Sequence, residues 1–382
     1  MINIYEVITL VVFLLMLYVW HTGKNNSRFF LMGAFLIFFM EALRAIHVGG
    51  DTFNYTAFFM GEFNGYGYLY DDLNNLAIEP GYVLINRLFA YILQQEWWFI
   101  FISSCIIMLP ILYRIYKYNL GNKLMSLCMF MTMWGLLACS VTSLRQNFGI
   151  TFLLVGISLI SNRPKQKNYL WYFAILVCGV AALSCHSSIY LTMPLLVAIY
   201  FIPMNRKIAL ISLVFCMVVP VFVDNFFGTV VNSLATFTRG FEFLDRSMNY
   251  SGDMLTSGEF GLKKVSIFAV APYAIFVASF VMLYTKKELE KYESKCLIVG
   301  QCLYMLGLSF PMVVRAVLGV TIVGIVAVPV AFSNKSSKGI YNILPIIMMI
   351  YYIYVMFCTF NSWDYRTGGG GSKLLPYEFI WE

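Results

Sequence analysis

An all-α polytopic integral membrane protein is the fold class this sequence predicts, and three observations predict it. Sixty per cent of the residues are apolar and only 12% are charged, where an ordinary soluble domain carries about 25% charged residues. The apolar residues fall in runs that approach the roughly 20 a helix needs to cross a bilayer. The runs do not alternate, as the short strands of an outer-membrane barrel would. No polar stretch between them is long enough to build a second core, so 1–382 is read as a single transmembrane domain.

Twelve runs qualify as spans: 4–20, 29–43, 97–116, 124–142, 146–160, 169–183, 187–203, 208–223, 265–284, 296–311, 316–332 and 339–357. The first begins at once, without a basic leader or a small-residue cleavage site, so it is expected to be an anchor and not a cleaved signal. Between the second and third lies a first outer loop, 44–96. Its weak apolar run 81–94 holds Asn86 and Arg87 at mid-length, which suits a re-entrant or interfacial helix packed on protein better than a lipid-facing span. Three later pairs of spans are joined by tight hairpins that hold Arg145, His186 and Arg315. A long outer loop, 224–264, mixes charges with glycines and aromatics and is expected to lay short amphipathic helices over a cavity mouth. The outer tail 358–382 closes on aromatics, as an interface anchor would. Its Gly368–Ser372 stretch, linker-like as it is, reads as native sequence because no tag follows.

Lysine and arginine placement orients the spans. With both termini outside and 81–94 not crossing, the inner loops are 21–28, 114–123, 161–168, 204–207, 285–295 and 333–338. They hold 16 of the 26 basic residues and only three of the 19 acids. If 81–94 crossed, this separation would collapse. Arginine makes up four of the 16 inner cations but seven of the ten outer ones. Lysine inside is a topology signal; arginine outside needs another reason, and its planar fork grips phosphate and carboxylate. The net charge of +7 is thus a matter of membrane side and no sign of nucleic acid.

Arg145 sits in Ser140-Val-Thr-Ser-Leu-Arg-Gln-Asn147 and is expected to sink below the outer surface, where an arginine is expensive and functional by default. His186, in Ser184-Cys-His-Ser-Ser188, is either a packed, hydrogen-bonded histidine or a general base; Cys185 beside it reads as a buried thiol. Arg315 is the third hairpin cation. Two arginines clamp a diphosphate and stabilise it as a leaving group. In the first outer loop Arg44 and Asp51 flank a Gly-Gly bend that allows close backbone approach, and Glu79 heads Pro80-Gly81. Asp51 and Glu79 are further candidates for the base. Asp71 and Asp72 read as a solvated pair, too little for a metal site. Arg239, Arg246, Arg366, Tyr55 and Tyr82 are candidates for guiding substrate, and Tyr66, Tyr68, Tyr70, Trp97 and Trp98 suit sugar stacking or the membrane interface. The nine cysteines lie mostly in apolar runs without a Cys-x-x-Cys pair, which argues against zinc or a disulfide scaffold. No nucleotide-binding or hydrolase motif is present, and no cofactor or metal is expected.

The pieces Leu43-Arg44, Val48-Gly-Gly-Asp-Thr52, Asn54-Tyr55, Glu79-Pro-Gly-Tyr82, Arg145-Gln146, His186-Ser-Ser188 and Pro376-Tyr-Glu-Phe379 resemble the EpsG family of Wzy-type polysaccharide polymerases. The resemblance spans most of the chain. It implies a lipid-linked glycosyltransferase-like (GT-C type) fold of the metal-independent class that includes O-antigen ligases. It also implies a reaction at the outer face of the bacterial cytoplasmic membrane. There undecaprenyl-diphosphate-linked oligosaccharide serves as donor and acceptor, in the bilayer, with a chain-length regulator as an additional partner. Residues and resemblance lead to one expectation: Arg145 and Arg315, with Arg44 behind them, hold the donor diphosphate, while His186, Asp51 or Glu79 takes the proton of the attacking sugar hydroxyl. The rivals are a lipid-linked oligosaccharide flippase, which should show internal repeats and broken helices at the midplane, an O-antigen-ligase-like enzyme, and a metal-dependent glycosyltransferase.

Overall fold

The structure, a computed structural model, describes residues 4–22, 27–45, 48, 52–63, 79–118, 122–132, 143–162, 164, 168–222, 265–308, 311–333, 343, 346–347, 349–351 and 353–354. Among them all regular structure is helical. The elements are α1 (Ile4–Thr22), α2 (Ser27–Ala42), α3 (Thr52–Phe63), α4 (Pro80–Ile92), α5 (Glu96–Tyr118), α6 (Lys123–Thr132), α7 (Leu144–Ser161), α8 (Tyr169–Cys185), α9 (Ile189–Phe201), α10 (Arg206–Phe222), α11 (Ile267–Leu283), α12 (Lys286–Leu289), α13 (Tyr292–Gly307), α14 (Pro311–Gly324) and α15 (Val328–Ser333), with a single 3₁₀ turn at Ile325–Ala327. The chain divides into two compact units, residues 1–190 with 349–382, and residues 191–348.

Three helical stretches among the described residues, Glu96–Tyr118, Leu144–Ser161 and Val313–Val330, are long and apolar enough to cross a membrane. Shorter apolar helices accompany them. Large apolar side chains point outward along α1, α2, α8, α9 and α10, among them Leu14, Phe35, Leu176, Tyr200 and Ile211. Such a surface suits lipid and not water. The protein is therefore an α-helical membrane protein.

In the first unit α6 is the centre: every residue from Leu124 to Thr132 is buried, and α1, α2 and α5 pack around it. Next to this group α7 lies between α5 and α8, and α4 packs on α3 and α8. Helix starts follow the local chemistry. The Asn168 side chain accepts from the Leu170 and Trp171 amides at the head of α8, and Pro80 opens α4 where no backbone donor is needed.

Helix α4 matches the weak run 81–94. Its 13 residues span about 20 Å, well short of a ~30 Å hydrocarbon core. Asn86, the residue that counted against a lipid-facing span, is fully buried and donates to the Tyr82 carbonyl one turn back, while Arg87 is exposed. Helix α3 was not expected. Polar and aromatic composition in 52–63 reads as loop, yet Thr52, Thr56 and Phe59 turn one face inward at helical spacing, and the Thr56 hydroxyl bonds back to the Thr52 carbonyl.

Lysine-bearing loops share an end in each unit. In the first, Lys123 Nζ donates to Ser27 Oγ (3.3 Å), Asn122 to the Met16 carbonyl (3.1 Å) and Lys117 Nζ to Asn162 Oδ1 (3.1 Å), so the start of α6 is tied to α1 and α2, and the end of α5 to the end of α7. In the second, Arg206 donates to the Tyr284 carbonyl (3.1 Å) and Lys295 to the Tyr200 carbonyl (3.3 Å). The loop after α11 closes with a capping box between Thr285 and Glu288. Buried Tyr284 donates to the Ala327 carbonyl at 2.7 Å.

Candidate functional site

Glu79 is the residue from which a site can be built. It caps α4 in extended backbone (φ −70°, ψ 137°), and Pro80 holds the turn so that the carboxylate projects beyond the helix. One carboxylate oxygen, Oε2, accepts from Arg145 Nη1 at 2.9 Å. The other, Oε1, accepts from the backbone N–H of Ser187 at 2.8 Å. Glu79 thus ties together α4, the first turn of α7 and the turn between α8 and α9.

Arg145 is the second helical residue of α7. Its side chain is 26% exposed and that of Glu79 10%, so the pair is largely withdrawn from solvent yet open on one side. Tyr55 and Tyr82 lie close enough to act on the guanidinium charge. The buried Tyr82 ring is packed by Tyr55 (centroids 5.6 Å apart), Phe58 (6.1 Å) and Phe148 (6.2 Å). The result is an arginine at a helix N-terminus, where backbone N–H groups already favour an anion. A carboxylate fixes it, and Tyr55 and Tyr82 lie beside it.

The turn that carries His186 is held as tightly. Helix α8 ends at Cys185 and His186 is extended (φ −161°, ψ 138°). Ser188 N–H donates to His186 Nδ1 at 3.0 Å, and Ser188 Oγ lies 2.9 Å from the same nitrogen. A nitrogen that accepts from a backbone amide carries no proton, so these bonds select the neutral tautomer with its proton on Nε2. Cys185 is buried. The approach of α4 to this turn is closer than any side chain permits. A Cβ on Gly81 would stand 2.1 Å from Ser184 Oγ and 2.7 Å from the Ser184 carbonyl oxygen.

The same chain-wide pattern that carries these residues decides the kinship: residues 27–379 match the EpsG family. The chain belongs to the EpsG family. No curated protein and no solved structure matches it. EpsG proteins are Wzy-type polymerase-like, and this EpsG-family chain is accordingly a polysaccharide-polymerase-like membrane protein, glycosyltransferase-like in its general chemistry.

Within this EpsG-family chain the structure brings Glu79, Arg145, Tyr55, Tyr82 and the His186 turn into one neighbourhood. Arg44 is fully buried after α2 and donates through Nη1 to the Glu41 carbonyl (2.5 Å) and to Ser104 Oγ on α5 (3.3 Å). Arg315 lies in the first turns of α14, in the second unit, and is exposed. Trp97 and Trp98 stack on one another in the first turn of α5, centroids 4.1 Å apart. Asp51, Tyr66, Tyr68, Tyr70, Asp71, Asp72, Arg239, Arg246 and Arg366 lie outside the described residues. Sequence reasoning named Glu79 and Arg145 separately but not their pairing. It passed over Ser184 and Ser187, whose contribution is backbone and position; the neighbouring Gly81 was the one available signal.

Proposed function

We propose that this protein joins undecaprenyl-diphosphate-linked oligosaccharide repeat units at the outer face of the bacterial cytoplasmic membrane. The observation that carries the reading is the Glu79 bridge: one carboxylate orients Arg145 through 2.9 Å and pins the His186 turn through the Ser187 amide at 2.8 Å. An arginine fixed in this way at the head of α7 is suited to a diphosphate, which it meets with charge and with directed N–H groups.

In this reading a hydroxyl of the acceptor unit attacks the anomeric carbon of the donor. The new carbon–oxygen bond forms as the bond to the diphosphate oxygen breaks. The electron pair leaves on the diphosphate, where Arg145 offsets the charge. Of the three candidates for the base, Glu79 has both oxygens engaged and His186 uses Nδ1 as an acceptor. Asp51 is proposed as the acceptor of the hydroxyl proton, with Glu79 and His186 the alternatives. His186, with its proton on Nε2, serves as a donor to a phosphate or sugar oxygen, and Arg44 supports the α2–α5 contact behind the site. The bond energy resides in the donor, so no nucleotide is consumed.

The test is product length. Purified protein is reconstituted with its lipid-diphosphate repeat unit, with and without EDTA, and the products are run on a gel. A ladder that survives EDTA and is lost in Arg145→Ala, while Arg145→Ala keeps its thermal unfolding profile, supports polymerisation through this arginine. Asp51→Asn runs beside it as the proposed base, and Arg315→Ala tests the expectation that the sequence raises for that arginine. No ladder from folded wild type given verified substrate, together with movement of that substrate across the liposome membrane, would replace the polymerase by a transporter.

A further inference from the structure

We propose that a groove between α2 and α5 binds one anionic phospholipid, its acyl chain in the groove and its phosphodiester on Lys117 and Lys123. The groove has a volume of about 600 Å³ and, among the described residues, is lined by these two helices, through Phe30, Ala34 and Phe38 on one side and Leu109, Tyr113 and Tyr116 on the other. That volume lies within the range of built small-molecule clefts, about 300–1,000 Å³. The lining is apolar except at the tyrosine hydroxyls, as a hydrocarbon chain requires.

The lining residues place the groove toward the start of α2 and the last turns of α5, and this is the end where the lysines stand. The two tyrosines that line the groove are the two whose faces carry them: Lys123 Nζ is 3.9 Å from the Tyr116 ring centre, and Lys117 Nζ is 5.5 Å from that of Tyr113. Lys117 Nζ is equally close, 5.5 Å, to the Tyr118 ring centre, and each ammonium donates to a neutral oxygen, Ser27 Oγ for Lys123 and Asn162 Oδ1 for Lys117. Neither meets a carboxylate among the described residues. An aromatic face and a neutral oxygen hold an ammonium in place without cancelling its charge. Two positioned, uncancelled cations therefore sit at the mouth of a chain-sized apolar groove.

Charge also names the occupant. Ser27, Lys117, Lys123 and Asn162 belong to the loops 21–28, 114–123 and 161–168, the lysine-rich ones that the distribution of cations assigns to the cytoplasmic side. That leaflet surface presents anionic headgroups to basic sites of this kind. A zwitterionic lipid would bring the same chain but would set a choline cation beside the lysines. The groove is distinct from the Glu79–Arg145 neighbourhood and does not depend on the reaction assigned to it.

The experiment is native mass spectrometry of the full-length protein, delipidated in detergent and offered dioleoyl-phosphatidylglycerol or dioleoyl-phosphatidylcholine at equal concentration. Wild type is expected to retain one phosphatidylglycerol in preference to phosphatidylcholine by about tenfold or more, on the scale of two lysines near a lipid phosphate. The double variant Lys117→Gln/Lys123→Gln is expected to bring the ratio close to one. Leu109→Trp, which fills the groove at a position 53% exposed and so tolerant of bulk, is expected to reduce retention of both lipids. Circular dichroism and gel filtration establish that the variants are folded. Equal retention of the two lipids by wild type, or an unchanged preference in the double variant, would overturn the proposal. So would retention of a polyprenyl phosphate alone when it is offered in the same assay.

Discussion

Gly81 and Ser184 meet at a distance that leaves no room for a β-carbon on the glycine: the nearest atoms would be 2.1 Å and 2.7 Å away, and one of them is a backbone oxygen. A side-chain hydroxyl can rotate aside, but a carbonyl at the end of α8 cannot move without moving the helix. The contact sets how closely α4 approaches the His186 turn, and so whether Glu79, two residues earlier, reaches both Arg145 and Ser187.

Gly81→Ala is therefore expected to push α4 away from α8. Overpacking of this kind costs about 1–3 kcal/mol, seen as earlier thermal unfolding in detergent. Polymer formation should fall further than stability does, because the carboxylate bridge is displaced with the helix. Ser184→Ala removes the hydroxyl but not the carbonyl, so Gly81→Ala/Ser184→Ala should regain only part of the loss. Full recovery in the double variant would show that the hydroxyl, and not the backbone, sets the spacing.

The Glu79 bridge separates charge from shape. Glu79→Gln keeps the length of the side chain and still offers an oxygen to the Ser187 amide, but it leaves the largely enclosed Arg145 without its carboxylate. A hydrogen bond to a charged group contributes about 1.5–3 kcal/mol, and unfolding measurements should register a loss of that size. Glu79→Asp keeps the charge but is one methylene too short to span Arg145 and Ser187 together, so it should retain more stability than Glu79→Gln while still losing product. If both variants polymerise like wild type, the bridge is not part of the working site.

Much of this was legible in the sequence, for physical reasons. Apolar runs mark helices because the bilayer leaves the backbone no other way to satisfy its hydrogen bonds. The helix bounds accordingly follow the runs within a few residues at α5, α7, α8, α10 and α11. Helix α3 escaped notice because its buried face is made of Thr52, Thr56 and Phe59, a pattern without a hydrophobic signature. Glu79 and Arg145 each stood out as a charge in an apolar setting, but they are 66 residues apart, and nothing local says which cation a carboxylate will meet. Arg44 illustrates the converse: an arginine in a motif-like stretch, placed by the fold beside Ser104 and the Glu41 carbonyl.

A last prediction concerns the second unit, where α13 and α14 pack so tightly that a Cβ on Gly324 would stand 2.4 Å from the Leu297 amide nitrogen. Gln301 and Thr321 lie in these same two helices, fully or almost fully buried. Both amide atoms of Gln301 and the Thr321 hydroxyl lack a hydrogen-bond partner among the described residues. A buried polar group in that position costs stability, about 1–3 kcal/mol, and replacing it by an apolar side chain of similar size removes the cost. Gln301→Met is accordingly expected to raise the midpoint of thermal unfolding, with Thr321→Val a smaller step in the same direction. A fall in the midpoint would mean that Gln301 hydrogen-bonds in the membrane, and an unchanged midpoint with lost polymer formation would move this amide into the working part of the protein.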